Sequence, residues 1–363
     1  MLTGGFEALA RRAVTQPIAR PVPADDVALL ARKGTAKLAF RMLRRQLELT
    51  ASRQRDAEHH RIDPAWRRAL WIHAEAPQIG DALMDLAPRS LFSERGLAVD
   101  LLAPPTTAAL FAGDRGFDRV FADEAAVEPA RYDFVIADSR SWKALAVKRH
   151  RLPALPWVSI KADYLGYDYH RGLFATRRLT ELLGLAPDDV AERLHSRQKL
   201  LLPTPSAGGE PVRLALALGG VRDERRYAHW PAVAALLHAA GVERFVLLGS
   251  ANAREARDAV LQRLAGGDAD VLDLVARTDL HGAWRAMSGA SAVACADGGL
   301  MHLALATPTP VVALFDAGID PAWRLPLDFS GTALRAEMRD VSRVAPERVA
   351  AALLGLASLS ALR

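Results

Sequence analysis

Short apolar runs of strand length recur through most of this chain with helical stretches between them, in two series separated by a break. The first series has runs at 68–73, 97–102, 119–121, 132–137 and 156–160, with helical stretches at 82–95 and 106–112. The second has runs at 212–218, 244–248, 269–273, 292–296 and 310–315. Near-continuous apolar strands that alternate with helices bury both of their faces, so each series predicts a parallel sheet covered by helices. Residues 203–211, rich in Pro, Gly and Ser, read as the linker between the two. A chain of 363 residues also exceeds the size at which one core usually keeps growing. The expected fold is α/β, with two Rossmann-like doubly wound domains facing across a cleft, at 63–202 and 212–345. A C-terminal helix over 346–363 is expected to pack back on the N-terminal domain. Ligands of such sheets lie beyond the carboxyl ends of the strands.

Residues 1–62 precede the first strand and read as a basic helical extension. Helical spacing of Leu29, Leu30, Leu38, Phe40, Leu43 and Leu47 spans 24–60, with a break at Gly34-Thr35. Residues 1–68 carry 14 Lys/Arg against 7 Asp/Glu, whereas the remainder carries 33 against 35. The basicity therefore sits in the extension, either as a surface for anionic lipid headgroups or an anionic glycolipid, or as a solvated helical face. Half of the residues are hydrophobic and a quarter charged, the balance of a globular protein rather than a disordered one. A single cysteine, Cys295, excludes an internal disulfide framework and a multi-cysteine zinc site. With no apolar run of spanning length and no signal pattern at the N-terminus, a cytoplasmic protein is expected.

The strand-end loops hold the candidate chemistry. After the run 292–296 comes Asp297-Gly298-Gly299-Leu300-Met301-His302. Two glycines permit close backbone approach, and the free amides and positive dipole end of the helix beginning near Leu300 suit a diphosphate. Asp297 would repel phosphate, so it either accepts hydrogen bonds from sugar hydroxyls or caps the helix; the alternative for the whole loop is a tight turn. His302 would face the same side. Gly80-Asp81, after the first strand, reads by itself as a helix cap.

The segment from Asp297 to Phe315, followed by Asp320-Pro321, resembles the signature of glycosyltransferase family 9, the bacterial heptosyltransferases. That pattern is an Asp-(Thr/Ser)-Gly-x-x-His-x-Ala-x-Ala block, then Pro-x-(Val/Thr)-x-Leu-(Phe/Tyr)-Gly and a nearby Asp-Pro. The chain departs from it at Gly298, where a hydroxyl residue is usual, and at Asp316, where glycine is common. The resemblance implies a GT-B fold and an inverting, metal-independent transfer that needs no cofactor. It assigns Asp81, beside Gly80, as the general base that takes the acceptor hydroxyl proton. After the run 212–218, Gly219-Gly220 and the charged turn to His229-Trp230-Pro231 resemble a segment whose cation contacts the diphosphate. Arg225 is its best counterpart and Arg226 the alternative. Glu255 is implied for the ribose hydroxyls and Thr278 for the nucleobase pocket, with Asp297, Gly298, Gly299 and His302 completing the donor site.

The implied donor is a nucleotide-diphospho-sugar, ADP-heptose, and the implied acceptor a saccharide or a lipopolysaccharide-core glycolipid. Peripheral contact with the inner membrane is compatible with such an acceptor, and no nucleic-acid partner is expected. The N-terminal domain would bind the acceptor, with Lys161, Arg140 and Lys143 as cations for an anionic one and Asp138 and Asp163 nearby. The aromatic cluster Tyr164 to His170 would stack on sugars or pack between domains. Two rival functions share these features: a nucleotide-sugar epimerase of the same fold, and a catalytically silent nucleotide-sugar-binding scaffold.

Overall fold

The computed structural model describes residues 2–166, 168–203 and 213–360. The expected linker at 203–211 falls outside them from residue 204 onward, and so does Tyr167. The chain divides into two compact units, Met1–Arg197 and Gln198–Arg363.

In the first unit, helices α1 (Leu2–Arg12), α2 (Asp26–Lys33) and α3 (Thr35–Ala51) precede the sheet. Its strands are β1 (Arg68–Ile72), β2 (Ala98–Leu102), β3 (Val120–Phe121), β4 (Phe134–Ala137) and β5 (Trp157–Ser159). All pair in parallel in the order β3-β2-β1-β4-β5. The chain winds outward from β1 to one edge, then returns to fill the other side, so the topology reverses between β1 and β4. Helices α4 (Ile79–Asp85), α5 (Ser90–Ser93), α6 (Pro105–Phe111), α7 (Ala146–Arg151), α8 (Arg171–Leu182) and α9 (Asp189–His195) complete the unit. The single helix expected over 82–95 is interrupted between α4 and α5 by a 3-10 turn at Ala87–Arg89. Pro88 lacks the N–H that a continuous helix would use and disfavours helical backbone at Ala87.

The extension belongs to this same unit. Leu38, Ala39 and Met42 of α3 are buried with Ala10 and Ala13 against Leu165. Arg12 Nη2 reaches Asp163 Oδ2 at 2.7 Å, and Arg45 Nη1 donates to the Asp163 carbonyl at 3.3 Å. Arg140 is bound to Glu58 at 2.9 Å and to Asp163 at 2.9 Å. These contacts tie the extension to the loop that follows β5.

The second unit has β6 (Arg213–Ala217), β7 (Arg244–Leu248), β8 (Asp270–Asp273), β9 (Ala290–Ala296), β10 (Val311–Phe315) and β11 (Thr332–Arg335), in the parallel order β11-β10-β9-β6-β7-β8. Strand β11 has no counterpart among the predicted runs: only Leu334 of its four residues is buried, so it carries no apolar signal. Helices α10 (Trp230–Ala239), α11 (Arg254–Leu264), α12 (Leu280–Ser288), α13 (Gly299–Leu305) and α14 (Pro346–Ser360) cover the sheet. Val349, Ala350, Leu353 and Leu356 of α14 enter the core of this unit with Trp230, Val233 and Leu237 of α10. Here the topology reverses between β6 and β9, whose last paired residues are Ala217 and Cys295. Loops beginning at Leu218 and Asp297 therefore leave the sheet at the same level, at the point where open α/β sheets bind ligands.

Candidate active site

Three of the residues singled out in the sequence meet at the switch point of the second sheet. Arg225 ends a 3-10 turn, Asp223–Arg225, and its Nη1 lies 3.1 Å from Asp297 Oδ2. Asp297 is buried, and neither its Oδ2 nor Arg225 Nε has a hydrogen-bond partner. The two groups are thus close in charge but incompletely satisfied, a state that a ligand with donors and acceptors would relieve. His302, also buried, places Nε2 4.0 Å from Asp297 Oδ1. Its Nδ1 donates to Gln198 Oε1 at 2.6 Å. Gln198 Nε2 in turn donates to the Arg324 carbonyl at 2.7 Å, which sets the amide orientation and hence the proton on Nδ1.

Local packing holds Arg225 in place. A Cβ at Gly220 would lie 2.8 Å from the Arg225 carbonyl, so the turn closes over a residue without a side chain. Arg226 Nε and Asn252 Nδ2 both donate to the Gly220 carbonyl at 2.9 Å. The next residue, Tyr227, is buried and donates its hydroxyl to the Val344 carbonyl at 2.8 Å. Of the two arginine candidates, Arg225 faces Asp297, whereas Arg226 braces the loop. Gly219 sits beside Asn252, whose Oδ1 would be 3.2 Å from an added Cβ.

Asp297 does not cap α13: the cap is Gly298, without a side-chain bond. Asp297 N–H instead donates to the Leu314 carbonyl, which leaves its carboxylate turned toward Arg225. Helix α13 begins at Gly299, and the amides of a first helical turn have no partners within the helix. Asp316 forms its own turn after β10, accepting from Gly318 N–H at 2.6 Å. Glu255 is exposed in the first turn of α11, and Thr278 Oγ1 donates to the Asp279 carbonyl. Among the described residues, neither bonds to the Arg225–Asp297 pair.

The first unit carries a second cluster. Asp81 lies in the first turn of α4, not in a loop, and Gln78 occupies the cap position. Its carboxylate is 34% exposed, with Oδ2 3.7 Å from Arg171 Nη1. Arg171 is clamped by Asp85, one turn along α4, through Nε–Oδ1 at 2.9 Å and a closer Nη2–Oδ2 contact. Lys161 Nζ reaches the same carboxylate at 3.0 Å. Burial would raise the Asp85 carboxyl, but Arg171 and Lys161 outweigh it and hold it well below the usual carboxylate range. Lys161, expected to offer its charge to an acceptor, is buried and committed to Asp85. Arg140 is likewise paired, and Lys143 is exposed.

At the other end of this cluster, His73 follows β1 and Asp138 follows β4, at the switch point of the first sheet. His73 Nδ1 is 3.0 Å from Asp138 Oδ1, and Asp138 Oδ2 accepts the N–H groups of Ala74 and Glu75 at 3.0 and 3.1 Å. Burial alone would disfavour the imidazolium, yet the neighbouring carboxylate raises the His73 pKa. Its Nε2 is buried without a partner. The aromatic cluster packs within the unit: Tyr164 stacks on Phe174 with centroids 5.5 Å apart, and Tyr169 meets both.

Sequence reading missed Gln198, Arg171, Asp85 and His73. Asp85 was detectable, since it follows Asp81 by four residues and shares its helix face. His73, a polar end to an apolar strand, was visible but unweighted. Gln198 and Arg171 carry no local signal.

Two doubly wound parallel units, the second with a polar cradle at its switch point, make up the GT-B type of glycosyltransferase fold. Residues 175–347, a little under half of the chain, match Glycosyltransferase family 9 (heptosyltransferase). No curated protein matches. Among solved structures, the family 9 glycosyltransferase from Veillonella parvula aligns with TM-score 0.63 at 13% identity, over 83% of this chain and 100% of its own. The heptosyltransferase WaaC of E. coli, solved with ADP, aligns with TM-score 0.60 at 18% identity, over 80% and 99%. The ADP-heptose lps heptosyltransferase II of E. coli gives 0.58 at 19% identity, over 81% and 99%. At these identities the likeness establishes the fold.

Proposed function

We propose that this glycosyltransferase moves heptose from ADP-heptose to a hydroxyl of a saccharide or lipopolysaccharide-core acceptor, with inversion and without a metal. The observation that carries the reading is the under-satisfied Arg225–Asp297 pair beside the start of α13, inside the family 9 segment. Arg225 and the amides at Gly298 and Gly299 neutralise charge developing on the departing diphosphate. Asp297, unsuited to phosphate, accepts from sugar hydroxyls, and His302, held by Gln198, lies against it. Asp81 takes the acceptor proton as the hydroxyl oxygen attacks the anomeric carbon and the bond to the diphosphate breaks. The donor assignment is supported by relatives solved with ADP and with ADP-2-deoxy-2-fluoro heptose. The reading also places the protein in the cytoplasm, in peripheral contact with the inner membrane where a glycolipid acceptor would lie.

The test is a panel of nucleotide-sugars scored by thermal stabilisation, followed by transfer assays. ADP-sugars should raise the melting temperature, because ligand binding to the native state stabilises it; preference for UDP- or GDP-sugars alone would overturn the donor. Asp81→Asn should bind donor as the wild type does while transfer falls by about 10²-fold or more. Unimpaired transfer would remove Asp81 from the mechanism. Conversion of donor without acceptor would favour an epimerase.

A further inference from the structure

Helix α3 has two apolar faces, and the fold uses only one. Leu38, Ala39, Met42 and Leu49 are buried, whereas Phe40, Leu43 and Leu47 are 64%, 40% and 62% exposed. At 100° per residue these three fall within an arc of about 60°. Phe6, on the neighbouring α1, is 45% exposed as well. Exposed Lys37, Arg41 and Arg44 occupy the adjacent sector of α3. The single acidic residue of the helix, Glu48, is paired with Arg44 at 3.3 Å. No helix among the described residues is long and apolar enough to cross a membrane.

We propose that the Phe40–Leu43–Leu47 face of α3 docks the protein on an anionic lipid surface, with the apolar stripe in the interfacial layer and Lys37, Arg41 and Arg44 among the headgroups. An apolar stripe bordered by cations is the pattern of helices that lie in that layer. Charge selects this occupant over a second copy of the chain. A two-fold contact through the same stripe would bring two cationic flanks together, and 14 Lys/Arg against 7 Asp/Glu over residues 1–68 oppose such a pairing. The face is also rigidly carried. Arg12 and Arg45 of the extension hold Asp163, just past the carboxyl end of β5, and that is the end of the sheet from which the chain runs to Asp81. Docking therefore orients the unit that holds the proposed base. The inference deepens the membrane contact suggested above by naming its surface, and it stands apart from the chemistry assigned to Asp81 and Arg225.

The full chain should sediment with vesicles of phosphatidylcholine containing about one-third phosphatidylglycerol and stay in solution with phosphatidylcholine alone, with binding that weakens as salt is raised. Phe40→Ser, Leu43→Ser and Leu47→Ser combined should reduce partition by about tenfold or more. Lys37→Gln, Arg41→Gln and Arg44→Gln combined should abolish the preference for anionic lipid. Phe40→Trp should show blue-shifted emission only with anionic vesicles. Melting temperature and transfer to a soluble acceptor should be unchanged in all of these variants. Equal vesicle binding by the wild type and the triple serine variant would overturn the proposal. So would absence of binding to anionic vesicles, or a wild-type dimer by light scattering that the serine variant dissolves. Failure of transfer in the wild type would sink the enzymatic reading and leave the docking face untouched.

Discussion

A methyl group added at Gly298 would meet only the Ala296 carbonyl, 4.0 Å away, and the backbone there is extended at φ 162°. Nothing in the fold requires glycine. Gly298→Thr is expected to melt with the wild type and, by adding a hydroxyl at the start of α13, to tighten donor binding by up to about tenfold. Calorimetry that shows weaker binding would mean the cradle depends on bare backbone. Gly220 is the contrary case, because the Arg225 carbonyl would lie 2.8 Å from its Cβ; Gly220→Ala should destabilise by about 1–3 kcal/mol in denaturant titration. Lys148 reports burial of another kind. It is fully buried, donates to Gln54 and to the Pro153 carbonyl, and burial brings its pKa down to about 8. A lysine in the unfolded chain titrates near 10.4, so the unfolded state binds more protons between those values and stability rises as pH goes from about 8 to about 10. Lys148→Met removes that rise. Between pH 7 and 9.5 the balance should move toward the wild type by about 1–2 kcal/mol, and parallel pH dependences would refute the assignment.

At the scale of elements, the Asp85–Arg171–Lys161 cluster joins α4 to α8 and to the chain leaving β5. Asp85→Asn leaves buried Lys161 and part-buried Arg171 without their shared carboxylate and should destabilise by about 3–5 kcal/mol. Because the folded carboxyl is held below its ordinary range, the wild-type advantage is full above about pH 4–5 and is lost on acidification. Acid titration of both proteins checks this, and a constant difference down to pH 2 would contradict it. The same cluster determines where Asp81 sits. Periodicity located the strand before it and the apolar helix after it, but the break at Pro88 ended α4 early. Arg171, which approaches Asp81, comes from a helix whose apolar pattern reveals nothing about its first residue.

At the scale of the molecule, the extension reads in sequence as a separate basic block, yet it shares a compact unit with the first sheet. Removing residues 1–51 takes Arg12 and Arg45 from Asp163 and uncovers Leu165. The expected result is a melting temperature lower by on the order of 10 °C, given roughly 2–4 °C per kcal/mol for a unit of this size. An unchanged transition would make the extension an independent appendage.

The α/β class and the strands of both series other than β11 were legible in the sequence, because strand periodicity is a local signal, whereas the grouping of an arginine of the 222–226 turn with the Asp297 loop came from the family resemblance. Short parallel crossovers account for neighbours such as β1 and β2 or β6 and β7, but not for the return of the chain past the first strand of each sheet, to β4 and to β9. What stayed hidden joins residues far apart in the chain: His302 to Gln198, Asp85 to Arg171 and Arg12 to Asp163. A polar side chain shows its type in the sequence but not its partner, since charge pairing has no period and is decided only when packing removes water from both groups. The kind of fold and the loops in which to seek chemistry are written in the local pattern of residues. Long-range packing settles which arginine faces Asp297, which cations are committed to carboxylates, and which apolar face of α3 is left uncovered.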